Sequence, residues 1–207
     1  FTNLTRDHLD YHQTMANYAA AKRALLQQPG LHTAVLNIDD RESRHWLEAM
    51  PEQASVVLSG IESDLSALPE HRHCLATNVQ YHPDGVQFRL QTSWGTTVVN
   101  IALLGTFNVS NVLSAIAVAL VEGERFDDVV RILPMLKPVS GRMEVFPFAG
   151  HANVVVDYAH TPDALVQVLA SARQHTKGQI WCVFGCGGDR DKGKRPLMGE
   201  AAEQGAD

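Results

Sequence analysis

A chain of 207 residues can bury one substantial core or two small ones. It is 45% apolar and 19% charged with a net charge of -6, the make-up of a globular protein, and the acidic balance argues against a general nucleic-acid or anionic-membrane surface. No stretch approaches the roughly 20 apolar residues of a membrane-spanning helix.

The first predicted element is a helix over 14–26. Met15, Tyr18, Ala19, Leu25 and Leu26 follow the i, i+3, i+4 pattern of a core-facing stripe. At about 100° per residue Lys22 falls inside that stripe. Pro29-Gly30 stops the helix. A strand over 33–38 then delivers Asp39 and Asp40 at its carboxyl end, and a short helix over 42–50 follows. Residues 56–58 form a second strand candidate, and the polar, His-rich run over 60–73 reads as surface loop. From 76 to 102 the pattern is β-like: Val86, Phe88 and Leu90 alternate with polar residues after the turn signal Pro83-Asp84-Gly85, and 96–104 supply the returning strand.

A strongly apolar helix over 109–120 follows, with Asn108 as its predicted N-cap, and another over 126–136 ends at Lys137-Pro138. Beyond Gly141 the rhythm is strand (152–158), helix (162–174), strand (179–185), loop and helix (196–203), the βαβα opening of a parallel sheet. The expected fold is therefore α/β, with a boundary near 138–141. The three cysteines, Cys74, Cys182 and Cys186, include no C-x-x-C pair, which fits idle thiols in a reducing cytoplasm.

Lys22 is the most informative position. A desolvated ammonium is costly, so a lysine on an apolar face must find a partner, lose its proton, be modified, or snorkel its head to water. A neutral lysine can also take up carbon dioxide as a carbamate, an anionic metal partner. Upstream, His8 has the chemistry of a metal ligand or an acid–base group, with Asp7 and Asp10 close by; a capping network in a tight turn is the simpler account. In one continuous helix His8 and Lys22 would be about 21 Å apart, so a shared site needs a chain break, for which Thr14 is a natural N-cap.

Three further segments could carry chemistry. Asp157 ends a predicted strand, where open α/β sheets bind ligands, and Thr161-Pro162 is an N-cap and N1 pair. Arg142 follows Gly141 and could reach a phosphate or simply pair with Glu144. The run Gly188-Asp-Arg-Asp-Lys-Gly193-Lys194-Arg195 nearly spells a P-loop. Arg195 stands where Ser or Thr would hold magnesium, so the nucleotide P-loop reading fails. What remains is a cationic loop at a helix start, suited to carboxylates or phosphates, or a solvated turn.

Taken together, Thr2 to His12, Gly105 to Asn111, Ser140 to Val145, Asp157 to Pro162 and Gly185 to Pro196 resemble the Mur ligase family of ATP-dependent amide-forming enzymes, in the branch that makes the tripeptide precursor. The resemblance implies addition of meso-diaminopimelate, in preference to L-lysine, to the D-glutamate γ-carboxylate of UDP-N-acetylmuramoyl-L-alanyl-D-glutamate, using ATP and Mg2+. It implies that Lys22 is carbamylated and positions magnesium, and that His8 binds a magnesium, the two forming the catalytic centre. Asn108 and Asn111 would lie near the adenine. Arg142 would be the hinge arginine and Asp157 the ribose partner, with His160 and Thr161 close to the phosphates and Arg190 gripping the incoming amino acid's carboxylate.

On this resemblance residues 1–138 are the later part of a central ATP-binding domain with a mixed sheet. Residues 139–207 are the first half of a Rossmann-like C-terminal domain. The family's phosphate loop, acidic magnesium ligand, UDP-sugar pocket and Asp-Asn-Pro-Arg motif are absent from these residues. The chain is thus expected to be an excised piece, inactive alone, of a cytoplasmic monomer with no nucleic-acid partner and no membrane insertion. A folylpolyglutamate synthase-like ligase and a non-catalytic module holding an acidic partner are alternatives; a metal-dependent hydrolase built on His8 and Asp10 is a third, for which the sequence offers too few clustered ligands.

Overall fold

The computed structural model describes residues 1–6, 8–66, 70–187 and 193–207. Two compact units result: one comprises residues 1–80, 87–100 and 107–134, the other residues 81–86, 101–106 and 135–207. Among the described residues no helix is long and apolar enough to cross a membrane.

The chain opens with two short helices, α1 (Leu9–His12) and α2 (Met15–Arg23), the second running on into a 3-10 turn, Ala24–Gln27. A five-stranded sheet follows, β1 (Thr33–Asn37), β2 (Ser55–Ile61), β3 (Arg72–His82), β4 (Gly85–Thr92) and β5 (Gly95–Ile101), in that spatial order, with α3 (Arg41–Leu47) between β1 and β2. β1, β2 and β3 pair in parallel. Two-residue turns at Pro83-Asp84 and Ser93-Trp94 join β3, β4 and β5, and so short a connection permits only antiparallel neighbours. The sheet is therefore mixed.

Parallel strands covered on both faces read as continuous apolar runs. β2 does so: Val56, Val57 and Leu58 are all buried. β4 alternates, burying Val86, Phe88 and Leu90. Leu26, Ala34, Leu36, Ile38, Trp46, Val56 and Leu58 form one cluster. The run over 60–73 is shorter as a loop than expected, because Gly60 and Ile61 belong to β2 and Arg72 opens β3.

α4 (Thr106–Val121) buries Val109, Val112, Leu113, Ile116, Ala117 and Leu120 on one stripe, and α5 (Phe126–Ile132) follows. The helix starts at Thr106, so Asn108 lies in its first turn and is not the N-cap; Gly105, at φ 89°, makes the turn into it. After β6 (Glu144–Phe146) and β7 (Val154–Val156) come α6 (Pro162–His175) and α7 (Lys194–Gly205).

In the second unit the expected parallel sheet is not formed among the described residues. β7 pairs antiparallel with β6, and no strand is assigned over 179–185. The reason is visible in the burial. Ile180 packs with Leu165, Leu169, Met198 and Ala201 of α6 and α7, while Trp181 is 82% and Val183 99% exposed, so one face is covered and the segment carries no ladder among the described residues.

Candidate active site

The first unit brings His8 and Lys22 onto one tyrosine. His8, at φ 54°, turns the chain into α1; α1 ends at His12, and Gln13, at φ 66°, breaks the helix. Thr14 is extended, and its hydroxyl accepts the Asn17 N–H at 3.1 Å to start α2, the cap that the spacing required. The break folds α1 back against the Tyr18 ring. His12 stacks on it at 4.8 Å, His8 stands edge-on at 6.0 Å, and the Lys22 ammonium sits 5.0 Å from its centroid.

Lys22 is half-buried, not sealed in a core, because α2 itself contributes no buried residue; Leu26 of the following turn is buried and Leu25 is 65% exposed. Its Nζ donates to the Asn3 carbonyl at 3.2 Å and lies 5.8 Å from the Phe1 ring. Two aromatic faces and a carbonyl compensate the partial desolvation, each ring contributing about 0.5–1 kcal/mol at a half-exposed site. The segment that supplies that carbonyl is itself tied down: Asn37 Nδ2 donates to the Thr2 carbonyl at 2.8 Å, and the Leu4 N–H to Asp40 Oδ2 at 2.7 Å. Asp40 also caps α3 through the Glu42 N–H, so this acidic residue is structural.

Among the described residues no group of three His, Cys, Asp or Glu side chains could hold a metal. The described residues thus offer His8, and Lys22 only as its carbamate, toward magnesium, which falls short of a full ligand set. Asp7 lies outside the described residues. Asn108 and Asn111 are one helical step apart on α4, half-buried and exposed respectively, and so share a face.

In the second unit a connected polar surface gathers the other predicted residues. Asp157 Oδ2 accepts the Met143 N–H at 2.9 Å and Oδ1 the Ala159 N–H at 2.8 Å. Each carboxylate oxygen keeps a second lone pair, which a ribose hydroxyl could use. Glu144 is occupied by the Ser140 hydroxyl and the Gly141 N–H, and Arg142 instead lays its guanidinium over the Tyr158 ring at 5.0 Å. Tyr158 meets His160 edge-on at 5.3 Å, and the Lys194 ammonium donates to the His160 carbonyl at 3.2 Å. The Thr161 hydroxyl accepts the Ala164 N–H and caps α6. Two cations, a helix N-terminus and a carboxylate suit a polyphosphate and its sugar.

Arg190 lies outside the described residues. Tyr18 and Tyr158 are partners that sequence reasoning did not single out, whereas Lys194 belongs to the cationic run already read as suited to carboxylates or phosphates. The signal was present for both: Tyr18 lies one turn before Lys22, and Tyr158 follows Asp157 directly.

Residues 1–119 match the Mur ligase middle domain, and residues 141–207 match the Mur ligase glutamate ligase domain. A UDP-N-acetylmuramoyl-L-alanyl-D-glutamate--2,6-diaminopimelate ligase of Haemophilus influenzae is 45% identical over 204 residues, which are 99% of this chain and 41% of that protein. A solved structure of a ligase of the same name superposes on the whole chain with a TM-score of 0.73 at 39% identity, again over 41% of its length. The L. casei FPGS structure, 16% identical with a TM-score of 0.64 over 86% of this chain and 42% of that one, shares the fold. The chain thus spans about two fifths of these relatives.

Proposed function

The chain belongs to the Mur ligase family, and from that premise we propose that it is the catalytic middle of a ligase adding meso-diaminopimelate to UDP-N-acetylmuramoyl-L-alanyl-D-glutamate. The observation that carries this reading is 45% identity to the diaminopimelate ligase across 204 residues. Its place would be cytoplasmic peptidoglycan precursor synthesis, upstream of cell shape and division. Residues 1–138 would be the central-domain piece and 139–207 the C-terminal piece, and the chain alone would not ligate.

The proposed reaction transfers the γ-phosphoryl group of ATP to the D-glutamate γ-carboxylate, giving an acyl phosphate and ADP. The amine of diaminopimelate then attacks the acyl carbon, and inorganic phosphate leaves. Both substrates of the first step are anions, so the chain must lower their repulsion. Arg142 and Lys194, with His160 and the α6 N-terminus at Thr161, would spread the phosphate charge, and Asp157 would accept from the ribose. Asn108 and Asn111 would meet the adenine. Arg190 would hold the amino acid's carboxylate.

Magnesium, when bound, would neutralise phosphate charge. His8 and a carbamate on Lys22 are the groups of this chain that would face it, and the shared Tyr18 supports placing them together. L-lysine as acceptor is the reading this proposal sets second.

Oxygen-18 placed in the γ-carboxylate should appear in the released phosphate when the whole protein turns over. Retention of all label in the peptide would refute an acyl phosphate. Replacing Lys22 with Ala should abolish that release while leaving the fold intact by circular dichroism; undiminished turnover would remove Lys22 from the centre.

A further inference from the structure

Two consecutive residues at the start of α4 are held by two consecutive residues at the end of α6. The buried Gly105 N–H donates to His175 Nε2 at 2.9 Å. On the other side of the ring, His175 Nδ1 lies 2.6 Å from the His82 carbonyl. A carbonyl only accepts, so Nδ1 carries the proton and Nε2 is the bare acceptor. A single neutral tautomer satisfies both partners. One residue along each element, the Thr106 hydroxyl lies 3.0 Å from Gln174 Oε1 and 2.7 Å from the Tyr81 hydroxyl. An amide oxygen also only accepts, so the chain of donors runs Tyr81 to Thr106 to Gln174. The Tyr81 ring stands edge-on to the imidazole at 5.4 Å.

This end of α6 is the one that the proposed chemistry does not use, since Thr161 and the cationic surface lie at the other. A histidine only 8% exposed, with both nitrogens engaged by backbone, is a costly way to fill a core. Its cost is explained if the Gly105 amide must be held.

We propose that His175 is a positioning residue: through the Gly105 amide it fixes the entry into α4, and with it the placement of Asn108 and Asn111. The hydrogen bond stands by itself; its importance to ATP rests on the proposed ligase reading. Burial pulls the imidazole below its ordinary 6.5, the His82 carbonyl opposes this, and the His82 charge adds to it. His82 and Tyr81 of β3 are the titratable groups facing the ring, while Thr106 of α4 and Gln174 of α6 are neutral. Protonation would turn Nε2 into a donor facing the Gly105 donor, so acid should open the contact.

The test uses the whole protein with nitrogen-15 in its histidines and glycines. His175 should show the Nδ1–H tautomer at neutral pH. The Gly105 amide resonance should move in His175→Ala and return most of the way in His175→Gln, whose Oε1 keeps an acceptor where Nε2 stood. In turnover, His175→Ala should raise KM for ATP about tenfold, the loss of one hydrogen bond, with KM for the amino acid unmoved. His175→Gln should recover to within about twofold of wild type at neutral pH, and should lose the wild-type rise in KM for ATP as the pH falls below 6.5.

A Gly105 resonance indifferent to both substitutions would overturn the proposal, as would Gln and Ala variants that raise KM for ATP equally. Should the Ala variant fail to fold, the resonance and pH profile of the Gln variant decide. Should the wild type use no ATP, the ligase reading falls, and the Gly105 resonance still decides what His175 does.

Discussion

Val56-Val57-Leu58 and Val154-Val155-Val156 are nearly the same sequence with opposite outcomes. The first is 7%, 0% and 0% exposed; the second is 48%, 40% and 43% exposed. β2 lies between β1 and β3, with the Leu26–Trp46 cluster against it. Among the described residues β7 has β6 alone as a neighbour, and neither strand buries a residue. A β-branched run specifies an extended backbone, but its energy comes from the layers that cover it. The second unit draws its core instead from helices: Leu165, Leu169, Met198 and Ala201 of α6 and α7, with Ile180.

The contrast can be broken most forcefully by truncating one apolar side chain in each sheet. Phe88→Ala, at a fully buried site of the five-stranded sheet, should cost about 3–5 kcal/mol, and Val155→Ala less than about 1 kcal/mol, by urea denaturation. Equal losses would mean that β7 is covered as fully as β4. Gly85→Ala should come next, because an added Cβ would collide with the Ile101 carbonyl, a backbone atom that cannot step aside. About 1–3 kcal/mol is expected from such overpacking; a neutral result would show that the β4–β5 edge yields.

The caps sharpen the comparison between helices. Thr14→Ala and Thr161→Ala should each cost about 1 kcal/mol, read as lost helicity and a lowered midpoint. A fourth check concerns acid. With its pKa depressed by burial, His175 binds fewer protons folded than unfolded, so its stabilisation is complete above 6.5 and is lost as the pH falls through the lower folded value. Wild type should lose stability across that window more than His175→Gln does. The smallest expected effect is chemical. Burial pushes the Cys74 thiol up to about 12, and it is 0% exposed, whereas Cys182 and Cys186 are half-buried. Native-state alkylation should spare Cys74 and modify the other two first.

What the sequence made legible was whatever rests on local chemistry. The apolar runs at 33–38 and 56–58, the alternation through Val86, Phe88 and Leu90, the Thr14 break and the Thr161-Pro162 helix start all appear where the residue patterns put them. Coverage was not legible. The extended run over 179–185 carries strand-forming residues, yet pairing depends on a neighbour that no local pattern specifies. Lys22 illustrates both sides. Its place on the α2 stripe, one turn after Tyr18, was readable from helical spacing, but the Phe1 ring and the Asn3 carbonyl that also receive it come from a separate segment that no local pattern places there. His175 gave no signal, since an isolated histidine at a helix end looks like a capping residue and its partners are 70 and 93 positions away.

The most direct test of the central claim is phosphate release by the whole protein from ATP and UDP-N-acetylmuramoyl-L-alanyl-D-glutamate, with meso-diaminopimelate or L-lysine added in separate reactions. The account predicts release that requires diaminopimelate and yields the tripeptide product by mass. Release with neither amino acid, or with L-lysine alone, would contradict it.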